Sequence, residues 1–371
     1  MKVERETAGF ALPFTAGVLL AAYTGYGIYS HHFTGSFLAS VILLVCISAL
    51  MHPERKSFNT RTVWILITGA AFMSGVLCAL TAEHIAVSSI KSDLILMAEG
   101  LGSRMQDSID RIPFSDNRCN AISKALITGE RSSIPDNVSE AFRRSGASHI
   151  LALSGLHLGI IYAVLTNLLS IAGNYRRIWA PRSFVTIIVC GLYTLTTGAG
   201  PSIVRAFLFI FLAEAARLTH RHHSTAQLLL SALVIQLTLS PMSIKSVGFQ
   251  LSYAAMAGIA FILPHLQAFW PGNIYKDRPF TKCVRKIWNA AAMSISCQLT
   301  TAPLAFHYFG TFPKHFLLTN LIALPLTGII IPMILMTLAL NCIGICPSFV
   351  ISITETLLTI LIGSLEVIST M

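Results

Sequence analysis

Long apolar runs, separated by short polar loops, recur along most of the 371-residue chain. A run of about 20 apolar residues is long enough to cross the hydrocarbon core of a bilayer as a helix. Backbone groups in hydrocarbon must be hydrogen-bonded internally, so we expect these runs to be helices. Only 11% of the residues are charged, against about 25% in an average soluble domain. The pattern excludes a soluble enzyme, a disordered chain and a disulfide-rich secreted domain, and predicts an all-α, polytopic membrane helix bundle.

The apolar runs predict about eleven transmembrane helices, within a range of ten to twelve, and we expect broken or kinked helices near 198–205 and 298–325. Their approximate positions are 8–30, 33–51, 62–82, 150–172, 183–199, 203–219, 224–240, 248–270, 288–308, 316–341 and 349–370.

Basic residues are concentrated in four loops that alternate with loops poor in Lys and Arg. By the positive-inside rule, this asymmetry predicts a cytoplasmic N-terminus and an extracytoplasmic segment 83–148. With eleven spans the C-terminus also lies outside. The residues that carry the asymmetry are Arg55, Lys56, Arg61, Arg176, Arg177, Arg182, Arg217, Arg221, Lys276, Arg278, Lys282, Arg285 and Lys286.

The acidic residues divide the chain into three parts, because most of the 16 lie between Glu83 and Glu140. We predict N-terminal transmembrane helices at 1–82, a polar helical segment at 83–148 and a transmembrane core at 149–371. Within the segment, apolar residues at helical spacing predict an amphipathic helix; they are Leu94, Met97, Leu101, Met105 and Ile109. A second helix is expected from Arg118 to Thr128, and a third, which Asp136 helps to cap, through Phe142.

Polar residues at the start of the fourth predicted span are unusual for a membrane helix. Ser154 and His157 are three residues apart, so they share a face of a continuous helix, and Gly155 allows close backbone approach. Hydrogen bonding between helices and a polar lining of a translocation path are both compatible with this pattern. A nucleophile–base pair of a hydrolase is a third hypothesis, although no neighbouring carboxylate orients the imidazole.

A second polar cluster interrupts the apolar sequence at Gly198, and Pro201 follows within it. Ser202 can cap the next helix, which leaves the first N–H groups of that helix available to an anionic partner. Arg205 lies one turn further on, and an arginine at membrane depth is expensive unless it is functional, paired or close to the interface.

Further polar positions occur at similar breaks in later spans; they are Gln250, Ser252, Gln298, Pro303 and Asn320. Carboxylates are nearly absent from the first ten predicted spans, where Glu214 has Arg217 one turn away to neutralise it. A path for a cation usually requires buried Asp or Glu, whereas one for an anion uses donors, helix N-termini and Arg. We therefore expect an anionic cargo. The eight cysteines are scattered, and we predict no disulfide framework, no metal site, no cofactor and no catalytic residue.

At these clusters the sequence resembles the ComEC-type competence proteins, whose members form an inner-membrane channel for DNA. The resemblance covers about 120–330. It rests on the G-[DE]-R element at Gly129, F-R-x-x-G at Phe142, H-L-L-A-[IL]-S-G-x-H at His149–His157, the Gly-Pro-Arg-Ala element at Gly198–Ala206, G-F-Q-L-S-[FY] at Gly248–Tyr253 and a final run with Gln298, Pro303, Phe309, Gly310, Asn320 and Pro325.

The resemblance implies a multi-pass protein of the bacterial inner membrane that passes single-stranded DNA into the cytoplasm during natural transformation. Larger members carry an OB-like domain where this chain has the short helical segment 83–148. They also carry a C-terminal metallo-β-lactamase-like domain, whose His-x-His-x-Asp-His signature is missing here, so we expect no nuclease activity. The resemblance leaves room for a separate DNA receptor, nuclease and cytoplasmic motor as partners, and for a homo-oligomer. The alternatives are a channel or transporter for another anionic solute and an intramembrane hydrolase that uses Ser154 and His157.

Overall fold

The computed structural model describes residues 2–24, 41–43, 45, 60–81, 90–171, 179–220, 223–269, 279–310 and 314–371. These residues form helices joined by turns, and no β-strand occurs among them. The predicted span at 33–51 lies almost entirely outside the described residues. So do seven of the loop residues used for the orientation: Arg55, Lys56, Arg176, Arg177, Arg221, Lys276 and Arg278.

The helices follow one another along the whole described chain, with a 3₁₀ turn at Pro241–Lys245 and a π-helical turn at Gly258–Ile262. They are α1 (Lys2–Thr24), α2 (Thr60–Thr81), α3 (Ile90–Asp110), α4 (Asn117–Thr128), α5 (Asp136–Arg144), α6 (Ser148–Leu151), α7 (Gly155–Ser170), α8 (Trp179–Thr196), α9 (Pro201–Leu218), α10 (Thr225–Leu239), α11 (Val247–Ala257), α12 (Leu263–Ala268), α13 (Pro279–Phe309), α14 (Phe316–Ile343) and α15 (Ser348–Ser369).

Five of the described helical stretches are long and apolar enough to cross a membrane: Glu4–Tyr23, Thr60–Leu80, Val247–Ala268, Phe316–Ile343 and Ser348–Ser369. Three shorter apolar helices accompany them, at Gly155–Ser170, Ala180–Thr196 and Thr225–Leu239. The all-helical, multi-pass prediction is therefore confirmed, but the count of eleven spans is not. At 1.5 Å per residue, the 16 residues of α7 extend about 24 Å, less than the roughly 30 Å of a bilayer core.

Helix ends fall within both of the ranges in which breaks are predicted, but in the second range they do not fall at the prolines. Between α8 and α9 the chain leaves the helical conformation at 197–200. In contrast, Pro303 lies inside α13 and Pro325 lies inside α14. Helix α13 ends at Phe309 and helix α14 begins at Phe316, so neither proline marks a helix end. A proline need not end a membrane helix, because neighbouring groups can satisfy the backbone carbonyl that it frees.

The chain divides into two compact units, of which the first comprises Met1–Ile90 and Leu208–Tyr253. Its core joins α1 and α2 to α10 and to the start of α11, and it is built from side chains such as Val18, Ala79, Leu237 and Phe249. Small residues bring α1 and α2 together, because a methyl group at Gly17 would overlap the Phe72 carbonyl and one at Gly75 would overlap the Phe14 carbonyl. This is the close approach that small residues permit between membrane helices.

We expect Gly17→Ala to destabilise the protein by about 1–3 kcal/mol, because the overlap is with backbone and no side-chain rotation relieves it. Thermal unfolding of the detergent-solubilised protein measures the effect. Gly363→Ala in α15 is the matched control, since a methyl group there meets nothing within 4 Å. Equal melting temperatures for the two variants would show that α1 and α2 are not packed through Gly17.

The second unit comprises Lys91–Phe207 and Ala254–Met371. Most of α4 is buried in it, and α4 and α5 pack against α15, which also packs against α14. Polar contacts join the same helices: the Asp116 N–H donates to Glu355 Oε1 at 2.9 Å, and the Thr337 and Thr354 hydroxyls are 2.9 Å apart. The polar segment 83–148 thus contributes helices to the core of this unit. Its extracytoplasmic position stays a prediction.

The three helices predicted in segment 83–148 are confirmed as α3, α4 and α5. The apolar stripe of α3 is not buried as one face, however. Ile109 is fully buried, whereas Met97 is 73% and Leu101 43% exposed. Periodicity identifies an apolar face but not which neighbour covers it. Asp136 lies in the first turn of α5, whose cap position is held by Pro135 without a side-chain hydrogen bond.

Candidate functional site

A break in the helix at 152–154 separates α6 from α7, where the sequence predicts one continuous span. Ser154 is extended, with φ −130° and ψ 171°, and is the N-cap of α7. Ser154 and His157 therefore do not share a helix face as predicted. The spacing S-x-x-H matches that of a capping box, but His replaces the usual Glu or Gln, so the sequence pattern does not indicate a helix start here.

Ser154 and His157 form a reciprocal capping box. The Ser154 side chain accepts from the N–H groups of the first turn, and the Ser154 backbone N–H donates to His157 Nδ1 at 3.2 Å. The Ser154 hydroxyl is 3.0 Å from the same Nδ1. The other ring nitrogen, Nε2, is buried and has no hydrogen-bond partner among the described residues. No described carboxylate therefore orients the ring as in a catalytic triad, which argues against the hydrolase hypothesis.

Arg205 of α9 lies against the first residue of α7. A Cβ atom at Gly155 would be 2.6 Å from Arg205 Nη2 and 3.2 Å from the Ala206 Cβ. Arg205 is only 7% exposed, and it is near enough to the Cys297 thiol of α13 to interact with it electrostatically. The sequence predicts that Gly155 allows close backbone approach, but the atoms that lie against it belong to the Arg205 and Ala206 side chains. The arrangement places a guanidinium beside a helix N-terminus, and both favour negative charge.

The loop between α8 and α9 positions Arg205. Gly198 has φ +80° and Ala199 has φ +48°, a left-handed conformation that is uncommon for alanine. The Ala199 N–H donates to the Thr194 carbonyl at 2.9 Å, which closes the end of α8. The next helix begins at Pro201, where a fixed φ suits the first helical position. Ser202 consequently lies inside the first turn of α9 rather than at its cap, in contrast to the sequence prediction.

Three further predicted residues lie in the second unit. Gln298 follows Cys297 in α13, and Pro303 lies further along the same helix. Asn320 lies in the first turns of α14, where its Oδ1 atom is buried without a hydrogen-bond partner among the described residues. The neighbouring Thr319 hydroxyl donates to the Ser145 carbonyl at 2.7 Å, so α14 is joined to the segment just before His149. The sequence does not indicate this contact of Thr319, whose only distinguishing feature is its place next to Asn320.

Two predicted residues lie in the first unit instead. The Gln250 side-chain amide donates to the Ile244 carbonyl at 2.9 Å, and Ser252 follows in the same helix, α11. Near them the Tyr253 hydroxyl donates to Gln236 at 2.9 Å. Gln250 and Tyr253 thus make contacts that stabilise their own unit. A common path for these residues and Arg205 stays a prediction.

The segment just before His149 carries a charged cluster on α5. Hydrogen bonds from Arg143 and Arg144 hold the pKa of the Glu140 carboxyl at about 2, with Nε–O distances of 2.7 and 2.6 Å. Hydrogen bonds from Ser132 lower the pKa of Glu130. His149 is exposed, and its Nδ1 is 3.0 Å from the Gly146 carbonyl. Within the described residues no group of three His, Cys, Asp or Glu side chains is arranged to hold a metal ion.

The fold and this site define a multi-pass helical membrane protein with a buried arginine at a helix start. A family model described as "Competence protein" matches residues 126–371. The chain therefore belongs to the competence protein family.

Several relatives match more than half of the chain. It is 27% identical to ComE operon protein 3 of Bacillus subtilis over 211 residues, which are 57% of this chain and 24% of the relative. It is 24% identical to competence protein ComA of Neisseria gonorrhoeae over 299 residues, 75% of this chain and 39% of the relative. Recombination protein 2 of Haemophilus influenzae is 22% identical over 228 residues, 58% of this chain and 28% of the relative. The chain thus spans a quarter to two fifths of these relatives' length. No solved structure matches the chain.

Proposed function

We propose that this protein is the membrane core of a ComEC-like channel, which passes single-stranded DNA into the cytoplasm during natural transformation. Membership of the competence protein family supports a role in DNA uptake, as do relatives whose names refer to competence. In this proposal the N-terminus is cytoplasmic, segment 83–148 is extracytoplasmic, and residues 149–371 form the core. The proposed role is conduction rather than catalysis. A DNA receptor, a nuclease and a cytoplasmic motor would be separate proteins that act with the channel, and the channel itself could be a homo-oligomer.

The observation that carries the proposal is the Arg205 guanidinium at the N-terminus of α7, beside Gly155. An arginine offers five donors in a fixed fork that fits a phosphate group. The dipole at the N-terminus of α7 favours the same ligand, while the Leu156 and His157 N–H groups already donate to Ser154. A DNA strand presents one phosphate per nucleotide, so each phosphate in turn could bind Arg205 at the start of α7 as the strand passes.

Deletion of the gene in its host tests the proposal. We expect transformation to be lost and to return when the wild-type gene is supplied. A channel for a small anionic solute would use the same donors. If the protein is such a channel, deletion should leave transformation normal and reduce the uptake of an anion such as phosphate. Labelling of Ser154 by a serine-reactive probe would instead support the hydrolase.

A further inference from the structure

A second helix in the chain begins in the same way as α7. At the start of α10 the Ser224 N–H donates to Gln227 Oε1 at 3.0 Å, and the Gln227 N–H donates to Ser224 Oγ at 3.2 Å. At the start of α7 the Ser154 N–H donates to His157 Nδ1 at 3.2 Å, and the Ser154 side chain accepts from the His157 N–H. His157 Nδ1 therefore occupies the place that a glutamine oxygen occupies in α10.

This contact determines the protonation of the His157 ring. A backbone N–H can only donate, so Nδ1 must accept and carries no proton. The proton of the neutral ring is therefore on Nε2, a buried atom with no hydrogen-bond partner among the described residues. An imidazolium has no acceptor nitrogen for Ser154, and its charge would oppose the helix dipole at an N-terminus.

The position of His157 separates it from Arg205. Gly155 is the first residue of α7 and His157 the third. Residues two apart on a helix point to different sides, so the imidazole does not lie on the face where the guanidinium packs. His157 is fully buried. Any effect of His157 on Arg205 must therefore pass through the backbone of the first turn, which the capping box fixes.

We propose that His157 is a positioning residue: as a neutral imidazole protonated on Nε2, it closes the capping box of α7 and so holds the turn against which Arg205 packs. In this role the Nδ1 atom accepts the Ser154 N–H, so it neither transfers a proton nor contacts the transported molecule. Its effect on transport rests on the proposed function, whereas the protonation of the ring does not.

Replacement by glutamine tests the role, because Gln supplies the acceptor found in α10 without the ring. We expect His157→Gln to keep DNA entry within about twofold of wild type, and His157→Leu, which has no acceptor, to reduce it by about fivefold or more at equal membrane levels. Equal loss in the two variants would overturn the proposal, since the ring itself would then be required.

The second measurement is independent of DNA. In protein labelled with ¹⁵N-histidine, the signals lost in His157→Gln are those of His157. We expect them to show an unprotonated Nδ1 and a protonated Nε2 at neutral pH. A protonated Nδ1 would overturn the proposal whatever the cargo is. If the wild-type protein fails to import DNA but shows the expected signals, the proposed function fails and the positioning role stands.

Discussion

Replacement of Arg205 by alanine is expected to reduce DNA entry by about 100-fold without removing the protein from the membrane. The guanidinium is the charged donor at the start of α7, and a hydrogen bond to a charged group contributes about 1.5–3 kcal/mol. Entry of labelled DNA into the cytoplasm measures the loss, and immunoblotting of the membrane fraction shows whether the variant is present.

Arg205→Lys is the matched control, because it keeps the charge and loses the planar fork. We expect an intermediate loss for lysine. Unimpaired DNA entry in the alanine variant would remove Arg205 from the path, and equal losses in the two variants would show that fork geometry rather than charge is required.

Gly155→Ala is expected to reduce DNA entry about tenfold while lowering the stability of the protein less than Gly17→Ala does. The added methyl group would lie 2.6 Å from Arg205 Nη2, the flexible end of a side chain that can move aside, and 3.2 Å from the Ala206 Cβ, whereas the overlap at Gly17 is with backbone. A shift of about 1 Å in a functional group is enough for a loss of this size. DNA entry and the melting temperature, measured on the same variant, separate the two effects.

Gly159→Ala is the control for this change, because it lies one turn further along the same helix and its methyl group meets nothing within 4 Å. We expect it to behave as wild type. The double variant Gly155→Ala with Arg205→Ala should be no worse than Arg205→Ala alone, since both act on the same group. Additive losses would show that Gly155 acts independently of the arginine.

The sequence predicts which residues form the polar cluster at the start of α7, but not which distant residues contact them. A glycine beside polar residues in a span predicts close backbone approach, whereas the atoms that lie against Gly155 belong to the Arg205 and Ala206 side chains. The partner at Arg205 is 50 residues away, and no local pattern specifies such a contact. The same holds for Thr319 and Ser145, which are joined by a hydrogen bond between distant segments.

Helix boundaries within the apolar runs were the least predictable feature of the fold. Hydropathy predicts one span from 150 to 172, but the Ser154 cap ends one helix and begins another inside it. Conversely, the prolines at 303 and 325 suggest breaks that the helices do not show. Hydropathy does not detect a single capping hydrogen bond. A proline in a membrane helix also need not end that helix, because neighbouring groups can satisfy the freed carbonyl.

We propose that this protein conducts DNA rather than a small anion. The most direct test is to compare cells that lack the gene with the same cells complemented by wild type or by Arg205→Ala. Entry of fluorescent DNA into the cytoplasm and uptake of phosphate are measured in each. We expect DNA entry to be lost on deletion and restored by wild type alone, with phosphate uptake unchanged in all of these cells. Normal DNA entry in the deletion cells would contradict it.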